Sequence, residues 1–163
     1  AQLRRGIAEA GGSWFLILHA DTLLSPGWSG IAARHMAQGP AMAGWFRLAF
    51  DSRAPMAHVT ARWANFRARA FGLPYGDQGL LISRELYDAC GGYPDIPLME
   101  DVAIARRLRG HLRPLQGVAT TSAARYLSEG WIRRGSRNLW TLGRYLMGAD
   151  PTRLAKDYAS RRN

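Results

Sequence analysis

The chain has 163 residues, 47% of them hydrophobic, with 22 basic and 12 acidic side chains and a formal net charge of +10. That is enough to bury a real core, while no apolar run reaches membrane-spanning length and no basic start with a long apolar middle marks a signal peptide. The one cysteine, Cys90, excludes an internal disulfide and a cysteine-based metal cluster and suits a reducing cytoplasm.

In chain order, residues 2–10 read as a helix ended by Gly11-Gly12, and the run 14–18 reads as a buried strand. Ser25 as cap and Pro26 in the first turn open a helix over 28–37, which Gly39-Pro40 breaks. Residues 43–50 alternate as a strand with Trp45 and Arg47 on one face. Ala54-Pro55 starts a helix that Gly72-Leu73-Pro74 stops. A short strand over 78–83, a helix over 84–90, the Gly91-Gly92 turn and a helix over 101–109 follow. Residues 114–119 form a short apolar segment, and helices near 129–147 and 151–159 close the chain, with Asp150-Pro151 between them as cap and first-turn proline. Trp63 and Phe66, at i and i+3 on their helix, read as core. The alternation implies an α/β fold with a mixed sheet.

Two carboxylate motifs stand out, because a charge beside an apolar segment is costly unless it has work to do. His19-Ala20-Asp21 follows the strand 14–18 directly, at the strand end where α/β sheets bind ligands. Glu100-Asp101 opens the helix 101–109, where the helix dipole favours negative charge. Set across one cleft, such motifs suit metal-assisted transfer from a phosphorylated donor, one holding the cation and the other taking a proton. Asp101 is the expected base, with Glu100 orienting it. The plainer alternatives are a turn capped by Asp21 or Thr22, a satisfied buried His19, and an acidic first turn that only complements its helix. Gly76-Asp77-Gln78-Gly79 reads as a turn whose glycines let backbone approach a ligand, with Asp77 and Gln78 offering polar groups to a sugar or acceptor hydroxyl; otherwise it is an ordinary turn.

The charge excess is local: residues 1–103 hold nine basic and nine acidic side chains, and residues 104–163 hold thirteen and three. All basic residues but Lys156 are arginine, which grips phosphate bidentately. Arg125, Tyr126, Trp131, Arg133 and Arg134 form an aromatic and basic group suited to a diphosphate or an acceptor, or to a solvated helix face.

His19-Ala20-Asp21-Thr22, Tyr75-Gly76-Asp77-Gln78-Gly79 and the run from Gly91-Gly92-Tyr93-Pro94 to Glu100-Asp101 resemble family 2 glycosyltransferases of the GT-A fold. The likeness is to a small bacterial subgroup of transferases associated with radical-SAM and selenium-domain proteins, and it runs from Gln2 to about Tyr158. The resemblance implies a Rossmann-like mixed sheet flanked by helices in a single domain, with 124–163 as a helical extension. It also implies a base-binding part of about 60 residues, two βαβ-sized units, ahead of this stretch. It implies a nucleotide-sugar donor, an acceptor hydroxyl and inversion at the sugar carbon. Asp21 matches the last position of the family's metal-binding acidic triplet and His19 replaces its first. A divalent cation, Mn²⁺ or Mg²⁺, is the expected cofactor, with imidazole favouring Mn²⁺. Gly76, Asp77, Gln78, Trp45, Arg125, Arg133 and Arg134 are the expected donor and acceptor contacts. The expected location is cytoplasmic, with peripheral contact to the anionic inner membrane face.

The sequence pI near 10.9 also suits a nucleic-acid module or a non-catalytic, anionic-lipid-binding basic domain. No helix-turn-helix, zinc or RNP-type pattern supports nucleic acid, and charge alone leaves the acidic motifs unexplained. A nucleotidyltransferase on a similar fold is the remaining enzyme alternative.

Overall fold

The computed structural model describes residues 2–160. The order is α1 (Gln2–Glu9), β1 (Trp14–Ile17), β2 (Thr22–Leu24), α2 (Trp28–Met36), β3 (Ala43–Phe50), α3 (Pro55–Phe71), a 3₁₀ turn (Gly76–Gln78), β4 (Leu80–Ser83), α4 (Arg84–Ala89), α5 (Glu100–Arg107), β5 (Leu112–Thr121), α6 (Ala124–Glu129), α7 (Trp131–Leu146) and α8 (Pro151–Ser160). The strands form one five-stranded mixed sheet in the order β1-β4-β3-β5-β2, with β3 and β5 parallel and every other pair antiparallel. The fold is α/β, as the alternation implies.

The sheet has to curl. β1 and β2 lie on opposite edges, yet only residues 18–21 join them. Five flat strands would span about 19 Å, whereas the link reaches at most about 18 Å fully extended and spends part of that on a turn, Thr22 N to His19 O at 3.1 Å. The register break between Trp45 and Arg47, opposite Pro114 and Val118, supplies the bend. Gly117 sits at this break, where a Cβ would press on Phe46 and Ile31. Curling thus carries His19, Ala20 and Asp21 across the end of the sheet.

Ile7, Phe15, Ile82, Tyr93, Ile104 and Leu108 pack as one buried cluster joining α1, β1, β4 and α5. Each large apolar side chain there contributes about 1.5–3 kcal/mol by leaving water, and Ile104→Ala would cost about 2–5 kcal/mol. A second cluster, Leu73, Val102, Ala105 and Leu142, ties α5 to α7. α5 is therefore clamped on two sides, which fixes the Glu100-Asp101 end.

Several local expectations need correction. Ser25 does not cap α2, whose N-cap is Gly27 in the left-handed region at φ 80°. Its hydroxyl instead accepts from Val118 N at 3.1 Å and splices the loop to β5. The short segment at 114–119 is part of a ten-residue strand beside β3, disguised by its proline and glycine at the bend. Trp63 and Phe66 are not core but 44% and 53% exposed, because alanines 57, 61, 64 and 68 form the buried stripe of α3. No helix among the described residues is long and apolar enough to cross a membrane.

Candidate active site

The loop 18–21, the turn at 76–78, the start of α5 and α6 converge. His19, Asp21, Glu100 and Arg125 line one open cleft of about 620 Å³, walled also by Tyr93 and Pro94. Hydrogen bonds anchor two of the segments that carry them. Asp21 O accepts from Ser122 N at 3.2 Å, and its carboxylate Oδ1 accepts from the Thr121 hydroxyl at 3.4 Å. Asp51 at the end of β3 accepts from Ala123 N at 2.6 Å and anchors the start of α6, which carries Arg125. Met99, the N-cap of α5, holds φ 67°, the one positive-φ non-glycine residue described. Such strain needs surrounding support and tends to gather at functional sites.

Gly76 is the hinge point of the group. A Cβ on it would overlap His19 Nε2, so only glycine lets the imidazole lie against this backbone. Its amide donates to Asp101 Oδ2 at 3.0 Å. Asp101 Oδ1 accepts from Val102 N at 2.8 Å. The expectation that Asp101 shares a pocket with Asp21 is therefore corrected. Both of its oxygens face amides, and the cavity it lines beside Gly76 and Tyr93 holds only about 10 Å³, too little for a sugar. Glu100 is the member of that pair on the cleft wall.

Asp77 follows Gly76 in the turn and does not line this cleft. Burial pushes its carboxyl above the usual carboxylate range, the charges of Asp101 and Asp21 push the same way, and Arg67 and His19 pull it back. Its Oδ1 is fully shielded and finds no hydrogen-bond partner among the described residues. Arg67 spreads over the Tyr75 ring, 3.4 Å from its centroid, and its Nε donates to Leu73 O at 3.0 Å. Burial pushes the Tyr75 hydroxyl up to about 12.

Other expected contacts lie elsewhere. Gln78 is fully buried and structural: Oε1 accepts from Tyr75 N at 3.3 Å, and Nε2 donates to Asn65 Oδ1 at 3.2 Å. Trp45 is 2% exposed, in the core and out of reach of a ligand; the bulge after it separates it from exposed Arg47. Arg134 is bound to Glu129 at 2.8 Å and lies over the Tyr126 ring, so its guanidinium is already engaged. Arg133 is exposed and does not line the cleft. Two residues were missed: Arg67, the one charged side chain along the alanine stripe of α3, and Asp51, hidden in an ordinary strand ending.

The donor set fits a divalent cation of the kind the resemblance implies. An imidazole and a carboxylate face an open cleft with room for waters and phosphate oxygens, and hard ions accept few protein ligands when phosphate supplies the rest. No protein-family model, curated protein or solved structure matches this chain.

Proposed function

We propose that the chain is a metal-dependent glycosyltransferase of GT-A architecture that moves a sugar from a nucleotide-sugar to an acceptor hydroxyl with inversion. The carrying observation is that His19, Asp21, Glu100 and Arg125, from three separate segments, share one cleft. His19 and Asp21 would hold Mn²⁺ or Mg²⁺, which when bound offsets charge on the departing diphosphate. Arg125 offers that diphosphate a bidentate partner. Glu100, across from Asp21, accepts hydrogen bonds from the donor sugar. Asp101 orients Gly76 and through it His19. It is thus a positioning residue, and the acceptor's proton passes to Glu100, the carboxylate of that pair on the cleft wall.

The test is calorimetric binding of UDP and GDP to the polypeptide as its gene encodes it. Binding about tenfold tighter with Mn²⁺ than in chelator, and lost in Asp21→Ala, is the expected result. Equal binding in chelator would contradict it.

A peripheral membrane contact is supported by a separate observation. Trp63, Phe66, Phe71 and Leu146 form an exposed apolar face whose groove is lined by Arg106 and Arg109. Aromatic and arginine side chains together suit an anionic lipid surface. Flotation with anionic but not neutral vesicles is expected; no flotation with either would remove this contact.

A further inference from the structure

Most of the large apolar side chains left exposed among the described residues stand on α3 and α7. On α3 the alanine stripe takes the buried face, which leaves Val59, Trp63 and Phe66 on the other at helical spacing. On α7, Ile132, Leu139 and Leu146 recur every seventh residue and form one stripe about 21 Å long. A cavity of about 500 Å³ opens here, with Trp63 and Phe71 of α3 facing Leu142 and Leu146 of α7. That is the size of a small-ligand site.

Charge at this cavity has one sign. Arg106 in the last turn of α5 and Arg109 just beyond it are exposed and line the cavity, and no acidic residue among those described does. Arg109 N donates to Arg106 O at 3.4 Å, a turn that keeps the two residues close. Neither guanidinium has an ion-pair or hydrogen-bond partner among the described residues. Their neighbour Arg107 differs, because it donates to Gly91 O and Gly92 O at 3.0 and 2.9 Å. The helix dipole alone accounts for a basic last turn. It does not account for an aromatic and aliphatic hollow beside it.

Such a surface selects an amphiphile with an apolar chain and an anionic head. A carboxylate brings one charge to two guanidinium groups, whereas a phosphate monoester brings about −1.5 to −2 near pH 7 and accepts bidentate bonds. We propose that this groove binds one long-chain phosphate monoester, its chain along Trp63, Leu142 and Leu146 and its phosphate shared by Arg106 and Arg109. As a lipid anchor the ligand rests on the membrane contact proposed above; as a binding site it does not, and neither depends on the glycosyltransferase reading. The groove shares no lining residue with the cleft of His19 and Asp21. The ligand therefore anchors the protein and takes no part in a transfer.

Calorimetry on the polypeptide as encoded, with decyl phosphate below its aggregation threshold, decan-1-ol and inorganic phosphate, tests the site. One decyl phosphate should bind per chain, about tenfold or more tighter than the alcohol or inorganic phosphate. Lengthening the chain from octyl to decyl should strengthen binding about fourfold per methylene. Arg106→Gln and Arg109→Gln together should bring decyl phosphate down to the alcohol's level at an unchanged melting temperature. Leu146→Glu should bring it down to the level of inorganic phosphate. Equal binding of decyl phosphate and the alcohol, affinity independent of chain length, or full binding by the double variant overturns the site. So does a chain that is dimeric without ligand and binds no decyl phosphate, since this face then belongs to a second copy. Flotation on anionic vesicles without decyl phosphate binding keeps the membrane contact and overturns the groove. Binding without flotation keeps the groove and overturns the contact.

Discussion

Gly76 and His19 are in such close contact that a Cβ on the glycine would overlap the imidazole Nε2. The site's histidine is thus placed by an absent side chain. Gly76→Ala should leave the thermal midpoint within a few degrees, because the obstructed group is the free end of a side chain. Displacing that ring by about 1 Å should lower turnover about 10²-fold. Steady-state kinetics with a melting curve checks this, and unchanged kinetics would remove His19 from the site.

Asp101 and Glu100 should respond differently to amide substitution. Asp101→Asn keeps an oxygen for the Gly76 amide and should retain most activity, whereas Asp101→Ala frees the loop and should lose about tenfold or more. Glu100→Gln removes the proton acceptor on the cleft wall and should cost about 10²–10⁴ in kcat. A loss in Asp101→Asn as large as in Asp101→Ala would return the base role to Asp101.

Asp77 also predicts a stability effect of definite sign. Its folded carboxyl binds protons more tightly than the unfolded one, so its contribution to stability is full at low pH and is lost as pH rises through the raised value. Near pH 7.5 Asp77→Asn should therefore melt higher than the parent. Below the ordinary value of 3.8 the gain should vanish. Chemical denaturation across pH measures it.

His35 gives the opposite pH response. Buried against Trp14 and bonded to Met42 O at 3.0 Å, it is held below its ordinary value of 6.5 by desolvation, with Arg113 adding to the effect and the Met42 bond opposing it. The neutral ring is the one the fold prefers, so stability should fall as pH drops below about 6.5. His35→Gln should be less stable at pH 7.5 but flatter between pH 7 and 5. An equal slope in both proteins would assign the acid sensitivity elsewhere.

The element order was legible because helix stops and starts carry their own chemistry: Pro55 opens α3, Gly72 closes it in the left-handed region at φ 62°, and Pro151 opens α8. The curl was not legible, since it depends on which strands pair across 99 residues at Thr22 and Thr121. Nothing local in the three residues of β2 announces that partner. At the site, position relative to a strand end pointed to His19 and Asp21, and a helix start pointed to Glu100. Which of two adjacent carboxylates faces the cleft is a rotational detail of α5, set by its packing on two clusters. Gln78 and Trp45 misled because polar and aromatic residues near a motif also serve as internal supports. Only burial distinguishes the two uses.

The most direct measurement of the central claim is nucleotide-sugar turnover by the polypeptide as encoded, with Mn²⁺ or in chelator, for the parent and Asp21→Ala. Asp21 is exposed, and among the described residues its carboxylate receives one long hydrogen bond, from Thr121 at 3.4 Å, so the variant should fold. Release of nucleoside diphosphate from UDP-, GDP- or dTDP-sugars should require the cation and fall by at least about 10²-fold in Asp21→Ala at an unchanged melting temperature. Undiminished, cation-independent release in the variant, or no release by the parent from any of these donors, would contradict a metal-dependent glycosyltransferase.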